Sequence, residues 1–239
     1  MLKVVCVLKS GSGVYNEVYV RRLRSAVSKY LTMAHQFICL TDIPEQIEFC
    51  QTVPLKHNWS GWWSKIELFR LDLFNCQSLY LDLDTLIIKD IFVLGKLAMK
   101  LDFAMLRGLS KEAIKGNYPS SGIMLGNFSK LSAIYDKFVL EAEEFINKGD
   151  RVHKDRLWKG QSGDQGYIAD VVGFGVDKIQ DHLPSDYIKG KRFFNLNKAL
   201  PLGTKVIAWS GVPRLDDEQN VNPRAFCWWN GVREESISV

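Results

Sequence analysis

The sequence predicts an α/β fold, a mostly parallel central sheet with helices packed on its faces, and three observations lead to it. Short, nearly unbroken apolar runs recur along the chain, as strands buried on both faces require. Stretches with apolar residues every three or four positions lie between them. The two kinds of segment alternate, which is the pattern of strands joined by crossover helices. With 239 residues, 46% of them apolar and 24% charged, the chain is long enough for one substantial core and short for two. It shows neither an internal repeat nor a linker, so a single domain over residues 1–239 is expected.

The first apolar run covers residues 3–8 and is broken by Lys9-Ser10-Gly11-Ser12-Gly13, so a loop follows the first strand. Over 17–30, Val20, Leu23, Val27 and Tyr30 recur at helical spacing, with Arg21, Arg22 and Arg24 on other faces. Residues 37–40 form the next strand, closed by Thr41-Asp42-Ile43-Pro44. Residues 61–74 read as a helix with Trp62, Ile66, Phe69 and Leu73 on one side, leading into a strand over 78–81. A short helix is expected over 91–99, and strands over 103–106 and 122–125. The clearest helix runs from Ser129 as N-cap to about Lys148, striped by Leu131, Ile134, Tyr135, Phe138, Val139, Ala142, Phe145 and Ile146. A further helix covers 164–172 and a late strand 206–209, while 173–205 and 213–239 read as loop-rich.

Composition excludes several classes of function. The basic excess, 31 Lys and Arg against 27 Asp and Glu, is scattered rather than concentrated on one face. A nucleic-acid partner is therefore not expected, and a small anionic ligand suits the balance better. Five cysteines without a C-x-x-C pair read as buried reduced thiols. The histidines, His35, His57, His153 and His182, lack the spacing of a zinc site. No apolar stretch approaches the roughly 18 residues of a membrane span, and residues 1–8 have neither the length nor the small-residue exit of a secretory signal. A cytoplasmic location is expected.

The chemistry concentrates in Tyr80-Leu81-Asp82-Leu83-Asp84-Thr85, two acids at the carboxyl end of a buried strand. That edge of an open α/β sheet is where ligands bind, and carboxylates are hard oxygen ligands suited to Mn²⁺ or Mg²⁺. The other reading is that both acids cap the turn. On the helix before this strand, Lys65 is either a point charge for a phosphate oxygen or a solvated surface lysine.

These residues also carry a resemblance. Trp63-x-Lys65-Ile66 with Phe69-Arg70, then Leu79-Tyr80-Leu81-Asp82-Leu83-Asp84-Thr85-Leu86, is similar to glycosyltransferases of the GT-A fold, especially the glycogenin-like family 8. Pro119-Ser120-Ser121-Gly122-Ile123-Met124-Leu125 resembles that family's N-S-G strand, and Gly163-Asp164-Gln165-Gly166-Tyr167 its D-Q helix start. Trp209-Ser210-Gly211-Val212-Pro213-Arg214 resembles its C-terminal H-x-x-G or F-H-G-x-P-K segment. The resemblance implies a nucleotide-binding half over 1–110, an acceptor-side half over 111–239, and transfer of a sugar from a nucleotide-diphosphate sugar, usually a UDP-sugar, with retention of configuration. The acceptor is left open, a saccharide being one candidate. Asp82 and Asp84 would hold Mn²⁺ or Mg²⁺, with Asp82 also near the ribose or donor sugar. Lys65 and Arg214 would meet the diphosphate, and Ser121, Asp164 and Gln165 would line the donor sugar and the reaction centre. Asp164 and Gln165 are the candidate catalytic pair, although Asp164 also reads as an N-cap. The loop after the first strand would cup the uridine through Leu8, Lys9 and Tyr15, the last by stacking. The sequence departs from the family where a metal-binding histidine would fall, at Ala208 or Ser210, and where the N-S-G asparagine is Ser120.

Three rivals stand beside this reading. Asp82-Leu83-Asp84 could open a haloacid-dehalogenase-like phosphatase, with Asp216-Asp217 as its late acidic pair, but position 86 is Leu and no glycine follows the second aspartate. A dinucleotide fingerprint at Gly11-Ser12-Gly13 fails because its third glycine position is Asn16. A non-catalytic nucleotide-sugar-binding relative is the third, motivated by Ala208 and Ser210.

Overall fold

The computed structural model describes residues 1–11, 13–73, 75–148, 163–192, 200–209, 211, 213–217 and 220–231. Ser12, His153, Ser210 and Val212 lie outside them. In chain order the elements are β1 (Leu2–Leu8), α1 (Glu17–Tyr30), β2 (His35–Thr41), β3 (Gln51–Pro54), a 3-10 helix (Gly61–Phe69), β4 (Ser78–Leu81), β5 (Thr85–Ile87), α2 (Phe92–Lys100) and β6 (Phe103–Arg107). There follow α3 (Lys111–Gly116), β7 (Pro119–Gly126), α4 (Ala133–Lys148), α5 (Gly163–Val172), β8 (Ile188–Gly190), β9 (Val206–Ala208) and α6 (Pro223–Trp229).

Successive side chains of a strand point to opposite faces, and in β1 both faces are covered. Val4, Cys6 and Leu8 enter one core while Val5 and Val7 enter the other. The main sheet has the order β3-β2-β1-β4-β7-β6, parallel from β3 to β4 and antiparallel at β7 and β6. On one face lie Tyr19, Val20, Leu23 and Val27 of α1 with Leu94 and Ala98 of α2. The other face receives Trp63, Ile66 and Phe69, then Phe138 and Phe145 of α4 and Tyr167 of α5. A small second sheet, β5-β9-β8, sets the late strand beside the segment that follows Asp84. Helix α1 begins where expected because the Asn16 side chain accepts the Val18 N–H at 3.0 Å, satisfying one of the otherwise unpaired first-turn donors.

Several expectations are corrected. The segment 61–74 is no α-helix but a 3-10 helix ending at Phe69. With three residues per turn, Trp63, Ile66 and Phe69 align and face the core, whereas Trp62 is 51% exposed. Ser129 is not the cap of α4. It sits in a preceding 3-10 turn, its hydroxyl bonded to the Asn75 and Asn127 side chains at 3.2 and 2.8 Å. Val139 of the predicted stripe is exposed. The stretches read as loop contain β8 and α6, short elements whose pairing or packing partners are remote in sequence. All five cysteines are free, but only Cys6 and Cys39 are buried. Among the described residues no helix is long and apolar enough to cross a membrane.

Gly126 closes β7 at φ +129°, where an added Cβ would stand 2.2 Å from the Asp102 carbonyl oxygen. Side chains avoid that backbone region, and the oxygen belongs to backbone that cannot swing away. Gly126→Ala is expected to cost roughly 1–3 kcal/mol, read from the urea midpoint. An unchanged midpoint would contradict the packing described.

Candidate active site

The chain leaves β1 for α1 and β2 on one side, while β4 lies on the other side of β1. Loops diverging from adjacent parallel strands open a crevice at their carboxyl ends. Tyr15 comes from the loop after β1, and Asp82 and Asp84 follow β4. The Tyr15 hydroxyl donates to Asp84 Oδ2 at 2.8 Å and accepts from Arg214 Nη1 at 2.8 Å, with that nitrogen 3.8 Å from the same carboxylate oxygen. Arg214 reaches the crevice because β9 pairs with β5, setting Ala208 opposite Thr85.

Lys65 is not a solvated lysine. Its side chain is 9% exposed and its Nζ lies 2.9 Å from Asp82 Oδ1 and 3.0 Å from Asp164 Oδ2. The same ammonium donates to Ser121 Oγ at 3.2 Å, and that hydroxyl donates to Asp164 Oδ2 at 2.5 Å. In the 3-10 winding Trp63, Ile66 and Phe69 share one row that packs in the core, and Lys65 starts from a different row. Asp164 sits in the first turn of α5, and its carboxylate serves this lysine and serine rather than only capping the helix.

Ser121 reaches the cluster through an irregularity. Between Met105 and Leu106 of β6 the pairing jumps from Met124 to Ser120, so residues 121–123 bulge from β6 while staying on β4 through Leu81 opposite Ile123 and Asp82 N–H to Gly122 C=O at 3.0 Å. A bulge of this kind re-aims side chains beside a site.

The electrostatics follow from burial. Burial would draw the Lys65 ammonium down, but the charges of Asp164 and Asp82 hold it above the usual lysine value. Burial raises Asp82 against the opposing pull of Lys65. Burial, then the charge of Asp82, pushes Asp84 up to about 7.

The acids fit a divalent cation by their donor sets. On Asp82, Oδ1 receives Lys65 and the Tyr80 hydroxyl. On Asp84, Oδ2 receives Tyr15. Neither Asp82 Oδ2 nor Asp84 Oδ1 accepts a hydrogen bond among the described residues, which leaves one hard oxygen on each acid for a metal. Among the described residues no group of three His, Cys, Asp or Glu side chains is placed to hold a metal. Ala208 pairs in the small sheet and Ser210 lies outside the described residues.

The remaining sequence candidates are placed as follows. Leu8 is buried in the core, so its side chain does not line the crevice. The Lys9 ammonium is paired with Asp42, whose carboxylate also accepts the Ser10 N–H at 2.8 Å and hydroxyl at 2.7 Å. Burial works against the Asp42 charge, but Lys9 and Ser10 prevail and hold the carboxyl down at about 2. Lys9 thus secures the loop after β1 to the end of β2. Gln165 is half-buried beside Asp164. Sequence reasoning missed Tyr80 and Asp42. An aromatic two residues before an acid on a strand shares its face, a signal available for Tyr80, whereas nothing local marks Asp42 as the partner of Lys9. The phosphatase reading gains no support, because Asp216 accepts the Tyr19 hydroxyl at 2.5 Å and Asp217 the Asn220 amide at 3.0 Å.

The sheet order, its flanking helices and the acid-bearing turn after β4 define a fold of the GT-A glycosyltransferase type. The apo form of the glycosyltransferase GlyE of Streptococcus pneumoniae TIGR4 is similar to this chain at a TM-score of 0.65 and 14% identity, over 95% of this chain and 59% of that one. Thus the chain spans about 59% of GlyE's length. The galactosyltransferase LgtC, solved with donor and acceptor sugar analogues, is similar at a TM-score of 0.59 and 12% identity over 98% of both chains. An active-site mutant of LgtC gives 0.62 and 15%, again over 98% of both. No protein-family model matches the sequence, and no curated protein matches it.

Proposed function

We propose that this protein is a metal-dependent glycosyltransferase that moves a sugar from a nucleotide-diphosphate sugar, a UDP-sugar first among them, to a hydroxyl of an acceptor such as a saccharide. The observation that carries the reading is the bracketing of Asp82 and Asp84 by two cations from distant parts of the chain, Lys65 and Arg214. Fold similarity to solved glycosyltransferases supports it. Residues 1–110 contribute Tyr15, Lys65, Asp82 and Asp84, and residues 111–239 contribute Ser121, Asp164 and Arg214, so both halves of the chain line the candidate donor site.

Breaking the bond from anomeric carbon to phosphate leaves a diphosphate that gathers negative charge and a sugar that gathers positive charge. Asp82 and Asp84 would hold Mn²⁺ or Mg²⁺, which when bound supplies Lewis-acid stabilisation of the diphosphate. Arg214, oriented through Tyr15, adds a fork of donors toward the same charge. Lys65 offsets the charge of Asp82 and Asp164 and fixes the Asp164 carboxylate beside the reacting sugar, where it stabilises the cationic centre. Gln165 holds sugar hydroxyls. Retention of anomeric configuration is the stereochemical outcome we assign, on the resemblance to family 8. A cytoplasmic location is supported by the five free thiols.

The test is thermal unfolding with uridine, guanosine and cytidine diphosphates, with and without Mn²⁺. UDP with Mn²⁺ at a hundred times its Kd should stabilise by about 2.7 kcal/mol, or roughly 5–10 °C, and Asp84→Asn should abolish the shift. A full shift in that variant removes the metal role. Hydrolysis or transfer from a UDP-sugar separates the enzyme from a non-catalytic binder, and phosphate release from a phosphomonoester would turn the assignment to a phosphatase.

A further inference from the structure

A second concavity, of about 730 Å³, opens between α1, β5 and the end of α6 and contains none of the residues assigned above to donor or metal. Among the described residues its wall carries Arg21, Arg22, Lys29 and Lys89 and no Asp or Glu. Among the described residues none of the four forms an ion pair with a carboxylate. The Arg21 guanidinium lies 4.1 Å from the Phe49 ring, Arg22 lies 3.8 Å from the Trp229 ring and donates to the Trp229 carbonyl at 3.0 Å, and Lys29 lies 4.9 Å from the Tyr30 ring. Lys89 donates to the Leu202 carbonyl at 2.6 Å, and Asp216 acts on Arg22 only through space. Four like charges around one hollow repel each other and concentrate an anion there.

The rest of the wall narrows the anion's class. Leu83, Leu86 and Ile87 supply an apolar floor and Trp228 and Trp229 aromatic faces, with Arg224 5.3 Å from the Trp228 ring, while the Ser25 hydroxyl donates to the Arg21 carbonyl and the Asn230 amide is bonded to Arg22 and to the Phe226 carbonyl. The indole N–H of Trp229 is buried and has no hydrogen-bond partner among the described residues, a state that calls for an explanation in a folded protein. The volume falls in the roughly 300–1,000 Å³ span of small-molecule sites. A flat ring with polar edges suits an aromatic wall, and guanidinium and ammonium groups suit phosphate or carboxylate. We infer that this concavity binds an anionic saccharide, its phosphate or carboxylate among Arg21, Lys29 and Lys89 and its ring against Trp228. The assignment stands apart from the donor site and survives if the transferase reading fails.

The experiment is calorimetric titration of the full chain at low salt with glucose 1-phosphate, glucuronate, glucose and inorganic phosphate. The two anionic sugars should bind, glucose should not, and inorganic phosphate should bind at least tenfold more weakly than glucose 1-phosphate. The double variant K29Q/K89Q should weaken both anionic sugars at least tenfold, while Arg214→Ala leaves them unchanged. Lys29 and Lys89 are exposed, so circular dichroism should show K29Q/K89Q folded. The inference is overturned if neither anionic sugar binds, if phosphate alone binds as tightly as the sugar phosphate, if glucose binds equally well, or if K29Q/K89Q keeps full affinity.

Discussion

Lys65→Ala should lower the rate of sugar transfer about 10²–10³-fold per folded molecule, the size of effect seen when one preorganised electrostatic contact is removed from a reacting centre. Its ammonium is the shared counter-charge of Asp82 and Asp164, at 2.9 and 3.0 Å, and also orders Ser121. Without it the buried Asp164 and the partly exposed Asp82 lose their shared counter-charge. One of them would swing away, and under the proposed transfer reaction the pair would no longer hold fixed negative charge beside the sugar. The same deletion should cost on the order of 3–5 kcal/mol of stability, since breaking a buried ion pair from one side strands the other. Rates must therefore be normalised to folded protein by circular dichroism at low temperature. Lys65→Arg should recover only part of the loss, because a planar fork does not meet three oxygens as a compact ammonium does. A kcat/KM within threefold of the parent in the alanine variant would refute the role assigned to Lys65.

Glu67→Ala should destabilise the protein by about 3–5 kcal/mol, a fall in Tm of roughly 6–20 °C for a chain of this size. Glu67 is fully buried and its carboxylate accepts the backbone N–H groups of Lys56 and His57 at 2.7 and 2.9 Å and Arg70 Nη1 at 2.8 Å. Arg70 in turn donates to the Pro54 carbonyl at 3.1 Å and makes two parallel bonds to Asp72 at 3.0 and 2.9 Å. One acid thus ties the loop after β3 to the 3-10 helix that carries Lys65. Truncation leaves a buried guanidinium short of a partner and two amides unsatisfied. Glu67→Gln, which keeps volume and one acceptor, should fall between the two. A loss under about 1 kcal/mol in the alanine variant would show that the network contributes little. Because the network reaches the crevice only through the 3-10 helix that carries Lys65, Glu67→Gln should change stability more than KM.

The opening strand, helix and strand were legible in the sequence, as were the buried strand with its trailing acids and the helices at 92–100 and 163–172. Each is announced by local periodicity or by a break in it, and such signals lie within a window of a dozen residues. The donor-site candidates Lys65, Asp82, Asp84, Ser121, Asp164 and Arg214 could be named from spaced motifs, yet their mutual arrangement could not. Lys65 meets Ser121 from 56 positions away, Tyr15 meets Arg214 from 199, and no pattern of neighbours records such a meeting. The strands β3, β5 and β8, three or four residues long, exist because an edge was waiting for them. The winding of residues 61–69 likewise depended on what their aromatic faces met across the sheet. Local chemistry chose the kinds of element and the reactive groups. Long-range pairing and burial chose which charges are desolvated together, since hydrogen bonds and ion pairs close over distances that a sequence window never spans.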